Sequence, residues 1–210
     1  MKKALLLGLL VILVAGGYWY YRTVVAASPQ YSLAQAANAV RTHDVAAFER
    51  YVDVDKVARN LVDQVSEESS SLEGLHMNGA LIQSALRLLK PQLAQSARQE
   101  VRRYIETGSA EQAAAGGQNI GGINVSVLGL AGRVIGSNPQ FKGIKYVNQQ
   151  DAQTLVGLEI TQPQYDTTLV LELKMLDQGD YWRVTEIANM GTLIKRTARL
   201  EKQRLLKGNK

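Results

Sequence analysis

The chain has 210 residues, of which 24 are basic and 19 acidic, and it contains no cysteine. The lack of cysteine excludes disulfides, thiolate catalysis and cysteine-ligated metal sites. The formal charge of +5 comes from the two ends, because residues 28–191 hold 14 basic and 18 acidic side chains. A body with net negative charge argues against nucleic acid as a partner.

An uncharged apolar segment extends from Ala4 to Tyr21, between Lys3 and Arg22. Its 18 residues would form a helix of about 27 Å, close to the ~30 Å hydrocarbon core of a bilayer. We therefore predict an N-terminal transmembrane helix. The residues expected to face lipid are Ala4, Leu5, Leu6, Leu7, Leu9, Leu10, Val11, Ile12, Leu13, Val14, Tyr18, Trp19, Tyr20 and Tyr21.

The charges that flank this segment predict its orientation. Lys2 and Lys3 precede it and only Arg22 follows it, so the positive-inside rule favours a cytoplasmic N-terminus. The predicted location is the bacterial inner membrane, single-pass, with the remaining chain in the periplasm or outside the cell. A cleaved signal peptide is the alternative, since residues 25–27 are small enough for cleavage after Ala27. The aromatic residues at 18–21 resemble an interfacial belt and favour an uncleaved anchor.

Helical patterns occupy the first half of the chain after the anchor. Residues 28–29 are expected to form an extended connection, and Ser32 is the expected N-cap of a first helix. Asp44 is placed to cap a second helix. A third helix is expected to start at Asp53 or Asp55, because apolar residues then recur with helical spacing.

A long helix and a glycine-rich segment follow a polar connection at residues 66–71. The helix is predicted over about residues 80–106, with a kink or break at Pro91 and an end at residues 107–108. Residues 116–143 contain eight glycines, so regular structure is doubtful there. The segment is nevertheless apolar, which suggests a loop that lines the core or covers a cavity.

Alternating apolar residues then predict four strands, near residues 144–147, 154–160, 169–175 and 181–187. Their short connections require an antiparallel meander. The fold class is therefore α+β, with a helical half packed on a four-stranded antiparallel sheet. The expected divisions are an anchor or signal at 1–27, an exported domain at 28–191 and a basic C-terminal helix at 192–210.

Four short motifs stand out: Ser28-Pro29-Gln30-Tyr31-Ser32-Leu33, His43-Asp44 with Phe48, Tyr51-Val52-Asp53-Val54-Asp55, and Trp182-Arg183-Val184 with Asn189. They resemble a bacterial family of membrane-anchored envelope proteins defined only as a domain of unknown function. The resemblance covers most of residues 28–195 and implies location and architecture, with no catalytic or binding residue. More distantly, a helix pair with an aspartate between the two helices, followed by a meander that ends in Trp-x-Val, is similar to cystatin-like or nuclear-transport-factor-like cones.

The polar residues that could suggest catalysis have structural explanations. His43 and Asp44 lie at a helix junction, where an acidic N-cap is favoured. Asp53 and Asp55 fit a cap and a first-turn charge better than two catalytic carboxylates. His76 has no ligand-spaced neighbour. We therefore expect no catalytic residues, no metal site and no cofactor.

The expected function is binding or assembly rather than catalysis, with the lipid bilayer and an envelope protein as partners. A carrier or sensor of a lipid or other small apolar molecule is the alternative, and a hydrolase is a weaker one. The C-terminal helix is a candidate surface for anionic headgroups or an acidic partner. Its contact residues would be Lys195, Arg196, Arg199, Lys202, Arg204 and Lys207.

Overall fold

A computed structural model describes residues 14–17, 25–68, 79–115, 118–120, 123–136 and 139–208. Within these ranges, the side chains of residues 66, 79–90, 118–120, 123–125, 127, 130, 133, 207 and 208 are not described. Of the predicted anchor, only residues 14–17 are included, so the residues named for it, apart from Val14, lie outside the described part. No helix within the described ranges is sufficiently long and apolar to cross a membrane.

Three short helices open the domain, as the sequence predicts: α1 (Pro29–Arg41), α2 (Val45–Tyr51) and α3 (Val54–Glu67). Asp44 caps α2 and Asp53 caps α3. In each case the carboxylate accepts a hydrogen bond from the backbone N–H three residues later, at 2.8 and 3.1 Å. Both helices therefore begin at the acidic residues that the pattern indicates.

The expected start of α1 is wrong by one turn. Ser28, rather than Ser32, is the N-cap, and its Oγ accepts a hydrogen bond from the Tyr31 N–H at 3.2 Å. Pro29 occupies the first turn, where its missing N–H costs nothing and its fixed φ suits a helix. Ser32 is instead buried, and its Oγ accepts a hydrogen bond from the Trp182 N–H at 2.9 Å. This bond ties α1 to the sheet.

The long helix α4 (Gly79–Thr107) is followed by the short helix α5 (Ala110–Ala114). A kink or a break is expected at Pro91; there is no break, because α4 is one continuous helix through this residue. Pro91 is exposed, and it lacks the N–H group that would otherwise bond to the carbonyl of residue 87. The end at Gly108 is confirmed: its φ of 68° lies in the left-handed region that glycine adopts without strain.

The glycine-rich segment contains regular structure, so the expectation that it lacks any is wrong. Strands β1 (Gln118–Ile120) and β2 (Ile123–Val125) form an antiparallel hairpin, and α6 (Val127–Ile135) follows. Ser126 caps α6, since its Oγ accepts a hydrogen bond from the Gly129 N–H at 2.9 Å. A strong cap offsets part of the low helix propensity that glycine brings.

Buried polar contacts fix both ends of α6. At its start, the Glu100 carboxylate accepts hydrogen bonds from the N-cap hydroxyl at 2.9 Å and from the Leu128 N–H at 3.0 Å. A carboxylate at a helix N-terminus also interacts favourably with the helix dipole. At its end, the Val134 carbonyl accepts hydrogen bonds from Gln162 Nε2 and Thr197 Oγ1, each at 3.0 Å. These contacts explain why a glycine-rich stretch is helical here.

The sheet confirms the predicted meander, with strands β3 (Gln140–Gln150), β4 (Gln153–Gln162), β5 (Thr167–Asp177) and β6 (Trp182–Ile187). They lie in the order β3-β4-β5-β6, and every neighbouring pair is antiparallel. A single 3₁₀ turn at Pro163–Tyr165 connects β4 to β5. With the helices described above, the fold class is α+β.

Helices cover one face of the sheet and form the main core with it. The last helix, α7 (Met190–Gly208), contributes Met190 and Ile194, which are both 0 % exposed. Burial of an aliphatic side chain of this size contributes about 1.5–3 kcal/mol. The apolar start of the basic helix is therefore part of the core. Other members of this core are Leu61, Val62, Val65, Leu93, Ala97, Leu169 and Leu193.

Candidate functional site

A surface groove of about 740 Å³ lies between α3 and α4. We call it the arginine groove. Four polar residues of α4 that recur with helical spacing form one side, so they share a face of that helix. The lining residues are Asp55, Arg59, Pro91, Ala94, Gln95, Arg98, Gln99 and Arg102.

Beside the groove, Glu49 of α2 binds two arginines of α4. Its carboxylate accepts hydrogen bonds from Arg98 at 3.0 and 3.2 Å and from Arg102 at 2.7 and 3.0 Å. Arg98 Nη1 also lies 3.2 Å from Asp55 Oδ2. Each guanidinium thus donates two hydrogen bonds to the carboxylate of Glu49. Such a bidentate arrangement is stronger than a single hydrogen bond between the same charged groups. The contacts hold α2, α3 and α4 together.

The two arginines change the electrostatics of Glu49. Hydrogen bonds from Arg102 and then Arg98 lower the pKa of Glu49 to about 2, against an ordinary value of 4.5. The same contacts raise the pKa of both arginines. All three groups are therefore charged throughout the physiological pH range.

Arg183 of β6 extends this arrangement to the sheet. Its Nη2 donates a hydrogen bond to the backbone carbonyl of Glu49 at 3.0 Å, and its Nη1 lies 3.7 Å from Asp53 Oδ2. Lys56 lies 3.9 Å from the same carboxylate oxygen. Asp53 is thus both a helix cap and an ion-pair partner, so its structural role exceeds the one that the sequence predicts.

The groove retains hydrogen-bond donors for which no described residue is the acceptor. Arg59 forms no hydrogen bond or ion pair with any residue that the structure describes, and neither do the amides of Gln95 and Gln99. Arg102 uses its Nε and Nη2 on Glu49, which leaves its Nη1 facing away from that pair. These groups can donate to carboxylate or phosphate oxygens of a ligand.

The neighbouring residues His43 and Asp44 bind different parts of the protein. His43 has a φ of 58°, and its Nδ1 is hydrogen-bonded to the backbone carbonyl of Ile105 in α4. Asp44 points instead into the first turn of α2. His76 lies outside the described residues. Across the described ranges, no three histidine or acidic side chains are grouped so that they could hold a metal ion.

The six candidate contact residues of the C-terminal helix do not converge on one site. Lys195, Arg199 and Lys202 share one face of α7 by their spacing, and all three are exposed. Two of the six form ion pairs: Lys195 with Glu68 and Arg204 with Glu201, at 2.8 and 2.7 Å. The other two members are Arg196, whose Nη2 lies 3.5 Å from Thr167 Oγ1, and Lys207, whose side chain is not described.

The model of a family described as "Protein of unknown function (DUF2939)" matches residues 19–114. The matched part includes α1 to α5 and every residue that lines the arginine groove, and it ends before the sheet. No curated protein and no solved structure matches the chain. The helical half is therefore similar to a domain of unknown function.

Proposed function

We propose that the chain is a single-pass protein of the bacterial inner membrane whose exported domain binds an acidic segment of an envelope protein. The uncharged segment from Ala4 to Tyr21 supports the anchor, and its flanking charges support export. The match to a domain of unknown function is compatible with this role and adds no chemistry to it. Binding rather than catalysis is supported by the arginine groove.

The observation that carries the proposal is the pattern of used and unused donors in the groove. The Arg98 guanidinium donates hydrogen bonds to the carboxylates of Glu49 and Asp55, which fix its position and balance its charge. Arg59 and the outer edge of Arg102 are not balanced in this way among the described residues. A carboxylate that enters the groove would therefore meet two guanidinium groups without displacing an internal partner.

The length of the groove favours a peptide over a single small anion. Its α4 side extends from Pro91 to Arg102, which is about 16 Å at 1.5 Å per residue. That length fits about five residues of extended peptide at ~3.3 Å each. The apolar floor at Pro91 and Ala94 would pack against the aliphatic parts of such a segment.

Fluorescence anisotropy of a labelled oligoglutamate peptide tests this proposal with the full-length protein in nanodiscs. Arg59→Gln should weaken binding by about tenfold, since one hydrogen bond to a charged group contributes roughly 1.5 kcal/mol or more. Arg103→Gln is the matched control, because Arg103 lies on α4 and does not line the groove. Equal affinities for the two variants would refute the groove as the site. Inorganic phosphate that competes at low concentration would indicate a small anion instead.

The alternative of an apolar-ligand carrier has less support from the packing. In a carrier, the space between helices and sheet would hold the ligand. Here that space contains side chains of α3 and α7, including Val65, Met190 and Ile194, which are at most 2 % exposed.

A further inference from the structure

The point where the chain enters the folded domain is firmly fixed. The Trp182 Nε1 group donates a hydrogen bond to the Ala27 carbonyl at 2.8 Å. The Ser28 N–H and hydroxyl both donate to the Val25 carbonyl, at 3.1 and 2.7 Å. Only four peptide units separate Val25 from Tyr21, the last residue of the predicted anchor, so covalent geometry limits their separation to about 14 Å. If the anchor spans a bilayer, this end of the domain lies at its surface.

A cleft of about 400 Å³ adjoins this point. It is lined by Ala26, Ala27, Tyr31, Arg50, Tyr51 and residues 179–181. We call it the tyrosine–arginine cleft. The rings of Tyr51 and Tyr181 meet edge to face, with centroids 5.6 Å apart. The Arg50 guanidinium lies 4.8 Å from the Tyr181 centroid and 5.8 Å from the Tyr51 centroid.

The charges of the cleft have opposite signs and are not paired with one another. Arg50 and Asp180 are both exposed, and among the described residues neither forms an ion pair. Tyrosine and arginine are typical of the membrane interface, where ring and stem face apolar groups while polar ends face water. A phosphate group beside an ammonium group would match the charges of Arg50 and Asp180.

We propose that the tyrosine–arginine cleft binds the headgroup of a zwitterionic phospholipid in the leaflet from which the chain emerges. Arg50 donates to the phosphate, and Asp180 interacts with the ammonium group. The bound lipid holds the β5–β6 end of the domain on the bilayer. This inference rests on the proposed membrane anchor, because the anchor places the cleft within reach of the headgroups.

The position of the basic helix agrees with this orientation. Arg196 of α7 lies near Thr167, at the opposite end of β5 from Asp177 and Trp182. The 11 residues of β5 span about 35 Å at ~3.3 Å per residue. With the cleft on the bilayer, Arg196 would therefore lie at the end of the sheet that is away from the anchoring membrane.

Because the chain has no cysteine, single labels test the orientation directly. Full-length Gln178→Cys and Gln164→Cys variants, each carrying a bimane label, would be placed in phosphatidylcholine nanodiscs that contain headgroup-spin-labelled lipid. Gln178 lies in the β5–β6 turn beside the cleft, and Gln164 is an exposed glutamine at the opposite end of the sheet. We expect strong quenching at position 178 and little at 164. Arg50→Gln should lower the ratio of docked to undocked domain about tenfold, because it removes a hydrogen bond to a charged phosphate. Arg41→Gln is the control and should leave this ratio unchanged, because the Arg41 side chain binds Asn38 of its own helix.

The remaining outcomes distinguish failure of the cleft proposal from failure of the membrane anchor. Equal quenching at both positions, in a chain that resists extraction from the membrane, would overturn the cleft proposal and leave the anchor intact. Quenching at 178 that requires added phosphatidylglycerol would overturn the zwitterionic headgroup, since it would indicate general attraction to negative charge. A chain that alkaline carbonate releases from membranes would refute the anchor itself, and with it the proposed function.

Discussion

Glu49→Gln is the substitution that most directly tests the charge network beside the groove. It retains the side-chain shape but removes the charge that Arg98 and Arg102 share. Lowering the pKa of Glu49 from 4.5 to about 2 corresponds to roughly 3 kcal/mol, at about 1.4 kcal/mol for each tenfold change in an ionisation constant. Solvent reduces this value, because the two arginines are 42 % and 45 % exposed. We therefore expect a loss of about 1–2 kcal/mol in the free energy of unfolding at pH 7.

The pH dependence has a defined sign. The pKa of Glu49 is lower in the folded protein than in the unfolded chain, so its stabilisation is fully present above about pH 4.5. This stabilisation is lost as the pH falls towards about 2, where the folded protein also takes up the proton. By the linkage relation, the difference between wild type and Glu49→Gln should fall by roughly half between pH 5 and pH 3.

Urea unfolding followed by tryptophan fluorescence measures both effects. Trp182 is 3 % exposed, and in a Trp19→Phe background it is the single tryptophan. At ~2 kcal/mol per molar urea, the Glu49→Gln midpoint should decrease by about 0.5–1 M. Glu159→Gln is the control, since Glu159 makes one exposed contact at 3.8 Å with Lys145. A Glu49→Gln loss no larger than the control's, or one unchanged at low pH, would show that the ion pairs of Glu49 do not stabilise the fold.

Two further substitutions test the packing, each by thermal unfolding followed with circular dichroism. Gly157→Ala should destabilise by roughly 1–3 kcal/mol, because the added Cβ would lie 2.6 Å from the Tyr146 ring. Gly132→Ala is the control, because Gly132 lies in a helix and a Cβ added there has no atom within 4 Å. It should be neutral or stabilise the protein by up to ~1 kcal/mol. Equal effects of the two substitutions would contradict the Tyr146 contact. Ile194→Ala should cost about 2–5 kcal/mol, whereas Leu205→Ala on the same helix should cost little, because Leu205 is 46 % exposed. Comparable losses would show that the start of α7 is not core.

Local chemistry explains which parts of the fold the sequence predicts correctly. Asp44 and Asp53 cap their helices through contacts that span only three residues. The strand alternation of the meander likewise depends on near neighbours and short turns. Ser28 and Ser32 are both acceptable caps by pattern alone, and the choice depends on the bond between Ser32 and Trp182, 150 residues apart. A sequence pattern does not contain that information.

The groove and the structured glycine-rich segment depend on contacts between distant residues. Glu49 and Arg98 are 49 positions apart, and the polar stripe of α4 by itself resembles any solvated helix face. Glu100 lies 26 positions from the α6 cap that it binds. Glycine content indicates poor helix propensity, and a tertiary contact of this kind overrides it. The sequence therefore predicts the elements, and their assembly decides which polar residues meet.

Labelling of a single cysteine in cells tests whether the leading apolar segment exports the folded domain. Gln164→Cys in the otherwise cysteine-free chain would be exposed to a membrane-impermeant maleimide after permeabilisation of the outer membrane alone. We expect full labelling at this step, because an exported domain is accessible to the reagent. Labelling that appears only after the inner membrane is lysed would place the domain in the cytoplasm and show that the segment does not export it.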